Sequence, residues 1–459
     1  MISIPSDKHR FLLRIVPVFL AALLIRILYA WPAFSSPELL SRLDSATYFQ
    51  PACALIEDGH LTLAPGLTEH AVQRPPGYIF FLAAILAVFG QSVRAAAVFG
   101  CLADALTVFP VALGGRSLAG RRAGFWAAVL YALNLTALSN APLILADSLL
   151  GFFCAWQVFF FVRAWRTKRL FDFLFGTAFA AVATLTKPVN LPVLILIPSV
   201  LAPVLLRPWR KAAAAALLSV LVSCVMLVPW MFRNQSVGAG FTLDSNSSLT
   251  ARHNTAAIFA RVNHTDVDTE RAALDVEAGT VFAAESERYS SAREQDKWYL
   301  AHYRETILAH PGAAASTHLF QVWILLPDLP NFLQNLGLRT GERGTLSVLR
   351  KDGPVAAFRH YMDGSYAAAF LSLPFLLATA ALYVLTAAGV LIYLRRRRWA
   401  VLTLFAVFVL YYLAAPGPVL MPRYQIPALP FACALAGAVI SICGIRRWRK
   451  RRSCRRCNP

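Results

Sequence analysis

The chain has 459 residues, 58% of them hydrophobic, 12% aromatic and 15% charged, with a mean hydropathy of +0.55. Soluble domains run at about 45–50% apolar and about 25% charged, so this composition excludes an ordinary water-soluble fold and makes the bilayer part of the solvent. The 44 Lys and Arg against 24 Asp and Glu leave a net charge of +20; on a soluble chain that would suggest nucleic acid, but here the basic groups alternate with membrane-length apolar runs, which argues against it.

About 20 apolar residues cross a hydrocarbon core of ~30 Å. Runs of that kind fall at 11–31, 95–113, 123–139, 142–162, 170–186, 189–206, 212–232, 367–394, 399–414 and 424–445. Between them lie Arg116/Arg121/Arg122, Arg163/Arg166/Lys168/Arg169, Arg207/Arg210/Lys211 and Arg395 to Arg398, and a basic tail follows the last run. With Lys8 and Arg10 these clusters hold 24 of the 44 cations. The polar stretch 233–366 carries 13 basic and 15 acidic residues, and the first loop, 32–77, has two Arg and five acids. Short basic loops stay on the cytoplasmic side, whereas long translocated loops are indifferent to charge. Two further runs, 79–90 and 313–326, are short for a crossing and read as re-entrant or interfacial. That puts every basic cluster inside, both polar loops outside and both ends of the chain in the cytoplasm.

The sequence therefore predicts an all-α polytopic membrane protein, a bundle of about 10–13 transmembrane helices with an outer-face loop region. It divides into an N-terminal transmembrane module, 1–232, containing the first outer loop 32–77, an outer loop region 233–366, C-terminal helices 367–445 and a cytoplasmic tail 446–459. The first run is longer than a signal-peptide core and contains Arg14 and Arg26, so it is read as a span. Five of the eight cysteines fall inside spans, and Cys454 with Cys457 lacks a second pair of ligands for zinc. The absence of an internal repeat argues against an inverted-repeat transporter. Asp104, in mid-span, needs a partner: a functional role and a hydrogen bond to a neighbouring helix are equally open.

With sidedness set, polar residues from distant parts of the chain converge on the outer ends of spans: Asp44 and Tyr48, Glu69 and His70, Arg74, Asp147, Lys187, Arg233 and Arg423. A carboxylate such as Asp44 can take a proton from an acceptor hydroxyl. Arg74, Lys187, Arg233 and Arg423 can hold a phosphate and stabilise charge developing on it, Arg through two-pronged contact and Lys as a point charge. Neither a metal-spaced His/Cys/Asp cluster nor a Gly-rich phosphate loop is present.

These pieces, in order, resemble the GT-C glycosyltransferases, in particular the bacterial branch similar to protein O-mannosyltransferases and lipid A aminoarabinose transferases. The matching segments are Asp44-x-x-x-Tyr48, Arg74-Pro75-Pro76-Gly77-Tyr78 in the place of the family's (K/R)PPLY, and Asp147 as a second outer acid. Leu185-Thr-Lys187, Pro229-Trp230-x-x-Arg233-Asn234, Glu294-x-Asp296 through His310-Pro311, and Arg423-Tyr424-x-x-Pro427 complete the series. The resemblance implies a membrane enzyme that takes a sugar from a polyprenyl-phosphate donor on the outer face of the bacterial inner membrane and passes it to a lipid, glycan or protein hydroxyl. Asp44 would be the base, with Asp147 the second catalytic acid. Arg74, Tyr78, Lys187, Arg233, Arg423, Tyr48 and Glu69 would bind substrate. Gln73 stands where some relatives have an acid, whose role passes to Glu69, and Gly77 replaces the Leu of PPLY. No organic cofactor is implied; a divalent metal stays open, with Glu69, His70 and His253 as available side chains. Two other readings also stay open, a transporter or flippase for a lipid-linked saccharide and an enzyme like the O-antigen ligases or polymerases.

Overall fold

A computed structural model describes residues 7–319, 322–338, 345–362, 364, 366–419 and 421–456. Among these the chain is helical, with no strand beyond one isolated antiparallel bridge between Thr62 and His70. Among the described residues seven helical segments are long and apolar enough to cross a membrane: His9–Phe34, Val93–Ala119, Asp147–Thr167, Pro188–Leu205, Trp209–Ser236, Phe370–Arg395 and Pro422–Gly444. Pro76–Phe89, Leu170–Thr186 and Trp399–Ala414 are shorter apolar helices.

Pro422–Gly444 is the central column, with 83% of its apolar window buried, whereas His9–Phe34, Trp209–Ser236 and Phe370–Arg395 are each only 22% buried and turn most of their surface outward. Phe161, Phe173, Phe408 and Tyr131 fill the core around the column, together with the column's own Phe431. Small residues let the helices touch: a Cβ on Gly437 would stand 2.2 Å from the carbonyl oxygen of Ala123. Any larger side chain there would push Arg121–Ala132 off the column.

Local chemistry breaks two of the expected spans. The run 123–139 is not one helix: Arg121–Ala132 ends, and a short helix, Leu135–Asn140, restarts after Asn134. Asn134 adopts extended backbone and its side-chain oxygen accepts from Ala137 N–H at 3.0 Å, an N-cap inside an otherwise apolar run. The run 424–445 begins as a tight turn, Pro422–Ala428, and becomes α-helical only at Leu429, because Pro427 and Pro430 lack the N–H that an earlier start would use. The helix Leu429–Arg456 carries most of the expected tail; residues 457–459, including Cys457, lie outside the described residues.

The basic loops gather at one end of the bundle. Asp7 pairs with Arg116 at 2.9 Å and Arg121 at 2.7 Å. The Arg166 guanidinium donates to the carbonyls of Ser117 and Leu118, Lys168 donates to the carbonyl of Leu205, and Ser441 donates to that of Ala119. Asp147–Thr167 has 21 residues, so at about 1.5 Å per residue its two ends lie about 30 Å apart. Asp147 stands at the end opposite the basic loops.

Asp104 has its partner within the bundle. It is fully buried in an ion pair with Arg26 of the first helix and accepts from Tyr131 Oη at 2.7 Å, while Arg26 also donates to the carbonyls of Ala22 and Ala132. The structure thus favours the second of the two readings left open for Asp104, a bond between helices.

Candidate active site

At the end opposite the basic loops, five chain segments bring charged side chains together. Asp44 lies in a turn whose carbonyl accepts from Thr47 N–H and Oγ1, just before the helix Ala46–Glu57. A helix start is a favourable place for a negative charge. Arg74 immediately precedes Pro75-Pro76, where proline's fixed φ and missing donor suit the first turn of Pro76–Phe89. Asp147 opens its own helix. Lys187 ends Leu170–Thr186 in extended backbone (φ −155°, ψ 126°), the conformation that the following Pro188 favours. Arg423 sits in the turn that precedes the central helix.

Asp44 is held from both sides. Its Oδ1 accepts from Arg74 Nη2 at 2.9 Å and its Oδ2 from Arg423 Nη2 at 2.8 Å. Arg74 also donates from Nε to Thr47 Oγ1 at 3.0 Å, and its guanidinium lies 5.0 Å from the ring centre of Tyr48, which packs edge-on against Tyr78. Asp147, buried, accepts from Lys187 Nζ at 2.7 Å. Tyr424 joins the two halves, with Lys187 Nζ 4.7 Å and the Arg423 guanidinium 5.4 Å from its ring centre. Three cations against two carboxylates leave the cluster with one net positive charge. Arg423 is only 7% exposed, and its buried Nε has no hydrogen-bond partner among the described residues.

The electrostatics follow from this layout. Burial raises the Asp44 carboxyl, but the opposing fields of Arg74, Arg423 and Lys187 outweigh it and hold the group below the usual aspartate range. Burial works against the Lys187 ammonium, yet Asp147 and Tyr424 more than offset it, so Lys187 holds its proton more tightly than an ordinary lysine. Asp44 and Lys187 are thus set in their charged forms at neutral pH.

Asp44, Asp147, Arg74, Lys187, Arg423, Tyr48 and Tyr78 therefore meet in one network. Arg233 and Glu69 do not join it. Arg233 donates to the carbonyls of Ala71 (2.8 Å) and Leu61 (3.0 Å) and stacks on Trp230, so it pins the first loop to the end of Trp209–Ser236. Glu69 is exposed, and no hydrogen bond or ion pair of its side chain is present among the described residues. Nor do Glu69, His70 and His253 converge: among the described residues no group of three or more His, Cys, Asp or Glu side chains is arranged to hold a metal.

Several residues at the site were not singled out by sequence. Arg42 donates to Asn331 Oδ1 at 2.8 Å and Asn335 Oδ1 at 2.5 Å, tying the Asp44 turn to the helix Leu329–Asn335. The same helix start holds Asp328, which accepts from Asn140 (2.6 Å) and Asn331 (2.9 Å) and is raised by burial. Asp244 is also buried. Its neighbour Ser245 donates to the Val72 carbonyl two residues before Arg74, and burial pushes the Asp244 carboxyl up to about 6. The signals for these were faint: Arg42 stands two residues from Asp44, and Asp328-Leu-Pro is a helix-start pattern. Gly77 now has a physical reason. A Cβ there would lie 2.8 Å from the Leu185 carbonyl oxygen and 2.9 Å from Thr186 Oγ1. Glycine lets the helix that carries Arg74 touch the end of the helix that carries Lys187.

The fold is that of the GT-C glycosyltransferases. The archaeal oligosaccharyltransferase AglB from Archaeoglobus fulgidus, in complex with an inhibitory peptide and a dolichol-phosphate, superimposes with a TM-score of 0.55 at 14% identity, over 99% of this chain and 52% of that one. A second structure of the Archaeoglobus fulgidus oligosaccharyltransferase, tethered to an acceptor peptide, gives 0.52 at 15% identity, over 95% and 50%. This chain thus spans about half the length of those proteins. ArnT from Cupriavidus metallidurans bound to undecaprenyl phosphate matches at 0.40 and 15% identity, over 93% and 76%. Residues 73–232 match the family model of dolichyl-phosphate-mannose-protein mannosyltransferases, so the chain resembles that branch of the superfamily. The matched segment contains Arg74, Tyr78, Asp147 and Lys187 and leaves out Asp44 and Arg423. No curated protein matches the sequence.

Proposed function

We propose that the chain is an integral membrane glycosyltransferase that moves a sugar from a polyprenyl-phosphate donor to an acceptor hydroxyl on a lipid, glycan or protein. The reaction takes place on the periplasmic face of the bacterial inner membrane. The observation that carries this reading is the double hold on Asp44 by Arg74 and Arg423. A donor phosphate is a better acceptor for those guanidinium groups than a single carboxylate, because it offers several oxygens to their forks. As it engages Arg74, Arg423 and the unpartnered Arg423 Nε, it takes over their charge and frees Asp44 to accept a proton. The acceptor oxygen then attacks the sugar's anomeric carbon, its proton passes to Asp44, and the bond to the phosphate oxygen breaks with its electron pair left on the phosphate. Lys187, fixed by Asp147, stabilises that charge as it grows.

The family match and the dolichol-phosphate named with AglB support this donor chemistry. The test is purified protein in lipid vesicles with a labelled polyprenyl-phosphate sugar: release of the lipid phosphate with loss of label from the lipid supports it. Transit of an unaltered lipid across the vesicle would instead make the chain a flippase, and turnover only of diphosphate-linked donors would make it a ligase or polymerase.

A further inference from the structure

A groove of about 820 Å3 runs between the first helix, Asp7–Ala30, and Arg121–Ala132. Pro17, Val18, Ala21, Phe125, Trp126 and Val129 make its walls. Arg14, Arg121 and Arg122 stand at its polar end, the end where the basic loops gather, and Leu133 closes the other. From Arg122 to Leu133 the helix rises by about 16 Å, the depth of one leaflet of a ~30 Å hydrocarbon core. The first span is mostly uncovered by protein, and Leu13, Phe125 and Trp126 are exposed, so the groove opens sideways towards lipid.

The charges at its mouth are unequally satisfied. Asp7 pairs with Arg116 and Arg121. Arg14 and Arg122 are exposed, and among the described residues neither side chain has an ion pair or a hydrogen bond. We propose that this groove is a binding site for an anionic glycerophospholipid, with its acyl chains against the apolar walls and its phosphate between Arg14 and Arg122. A zwitterionic headgroup fits less well, because Asp7, the carboxylate nearest the mouth among the described residues, is already shared by two arginines and offers little to a choline or ethanolamine cation. Basic pockets between membrane helices recognise anionic headgroups in this way, and two unpaired cations are worth about a 30-fold preference. The phosphate end of the groove is at the end of the bundle opposite the Asp44 cluster, and the site does not depend on the reaction proposed there.

The experiment is native mass spectrometry of the purified full chain after exchange with vesicles of phosphatidylglycerol and phosphatidylcholine in equal amounts. Wild type should retain phosphatidylglycerol about 30-fold over phosphatidylcholine. R14Q/R122Q should lose that preference and R14K/R122K should keep most of it. R396Q/R397Q, which removes the same charge from a different basic loop, should behave as wild type. The proposal fails if R14Q/R122Q retains the preference or if R396Q/R397Q loses as much. It also fails if added undecaprenyl phosphate displaces phosphatidylglycerol at equal concentration, because the groove would then be a second donor-lipid site.

Discussion

Asp44→Asn separates a base from a strut. The substitution keeps the shape of the side chain and one acceptor oxygen but removes the charge that both Arg74 and Arg423 contact at 2.8–2.9 Å. If Asp44 only steadied the two arginines, the loss would be one charge-assisted contact at a carboxylate whose side chain is 38% exposed. Solvent screening limits that to about tenfold, felt mainly in donor KM. If Asp44 takes the acceptor proton, kcat falls by about 10²–10⁴. The assay is release of lipid phosphate from a labelled polyprenyl-phosphate sugar under saturating donor, with KM measured separately. The pH profile adds a second readout. Because the free-enzyme carboxyl is held below the aspartate reference of about 3.9, the base form is present above that range and lost as pH falls through the lowered value. The acid limb of kcat/KM should therefore lie below pH 4 and vanish in D44N. A kcat within tenfold of wild type, with a shifted KM and an unchanged limb, refutes the assignment.

Asp244 should make the protein lose stability as pH rises. Its folded carboxyl is near 6 against an ordinary 3.8, so the stabilisation is complete below pH 4 and disappears through pH 6. A shift of about two units corresponds to about 3 kcal/mol; thermal unfolding of D244N should lack this slope, and parallel profiles would contradict it. Gly77→Ala should cost about 1–3 kcal/mol, because the new Cβ meets backbone at Leu185 and the helices must separate. The same displacement should carry Lys187 off the cluster and lower kcat in the lipid-phosphate assay. Removing either half of the Arg26–Asp104 pair should destabilise by about 3–5 kcal/mol in denaturant titrations, whereas R26M/D104L should recover most of it. Additive single effects would show that the pair is not coupled.

The residues at helix ends were legible because proline and charge coincide there: Arg74 before Pro75-Pro76, Lys187 before Pro188, Arg423 after Pro422. Each is a charged side chain at a point where the backbone has to stop or start a helix, so its place at one end of the bundle follows from local chemistry. The pairings were not legible. Nothing in the sequence links Asp44 to Arg423 across 379 residues, or Asp104 to Arg26, because tertiary packing alone selects among the available cations. Arg233 looked like the other outer arginines, and only the backbone carbonyls of Leu61 and Ala71 in its reach set it apart. Hydropathy also overlooks the break at Asn134, where one capping oxygen overrides the apolar residues around it.

The Arg26–Asp104 contact also bears on how the bundle is made. Arg26 reaches the membrane first, in a segment synthesised before its partner, and a charge near the centre of a helix costs about 2.5–3.5 kcal/mol on insertion. The partner lies 78 residues later, so during synthesis the first span is only marginally committed until Val93–Leu106 arrives beside it. The two spans should therefore settle as a unit. Loss of the later acid would be felt first as misplacement of the earlier helix, in the nascent chain, before any effect on the finished protein.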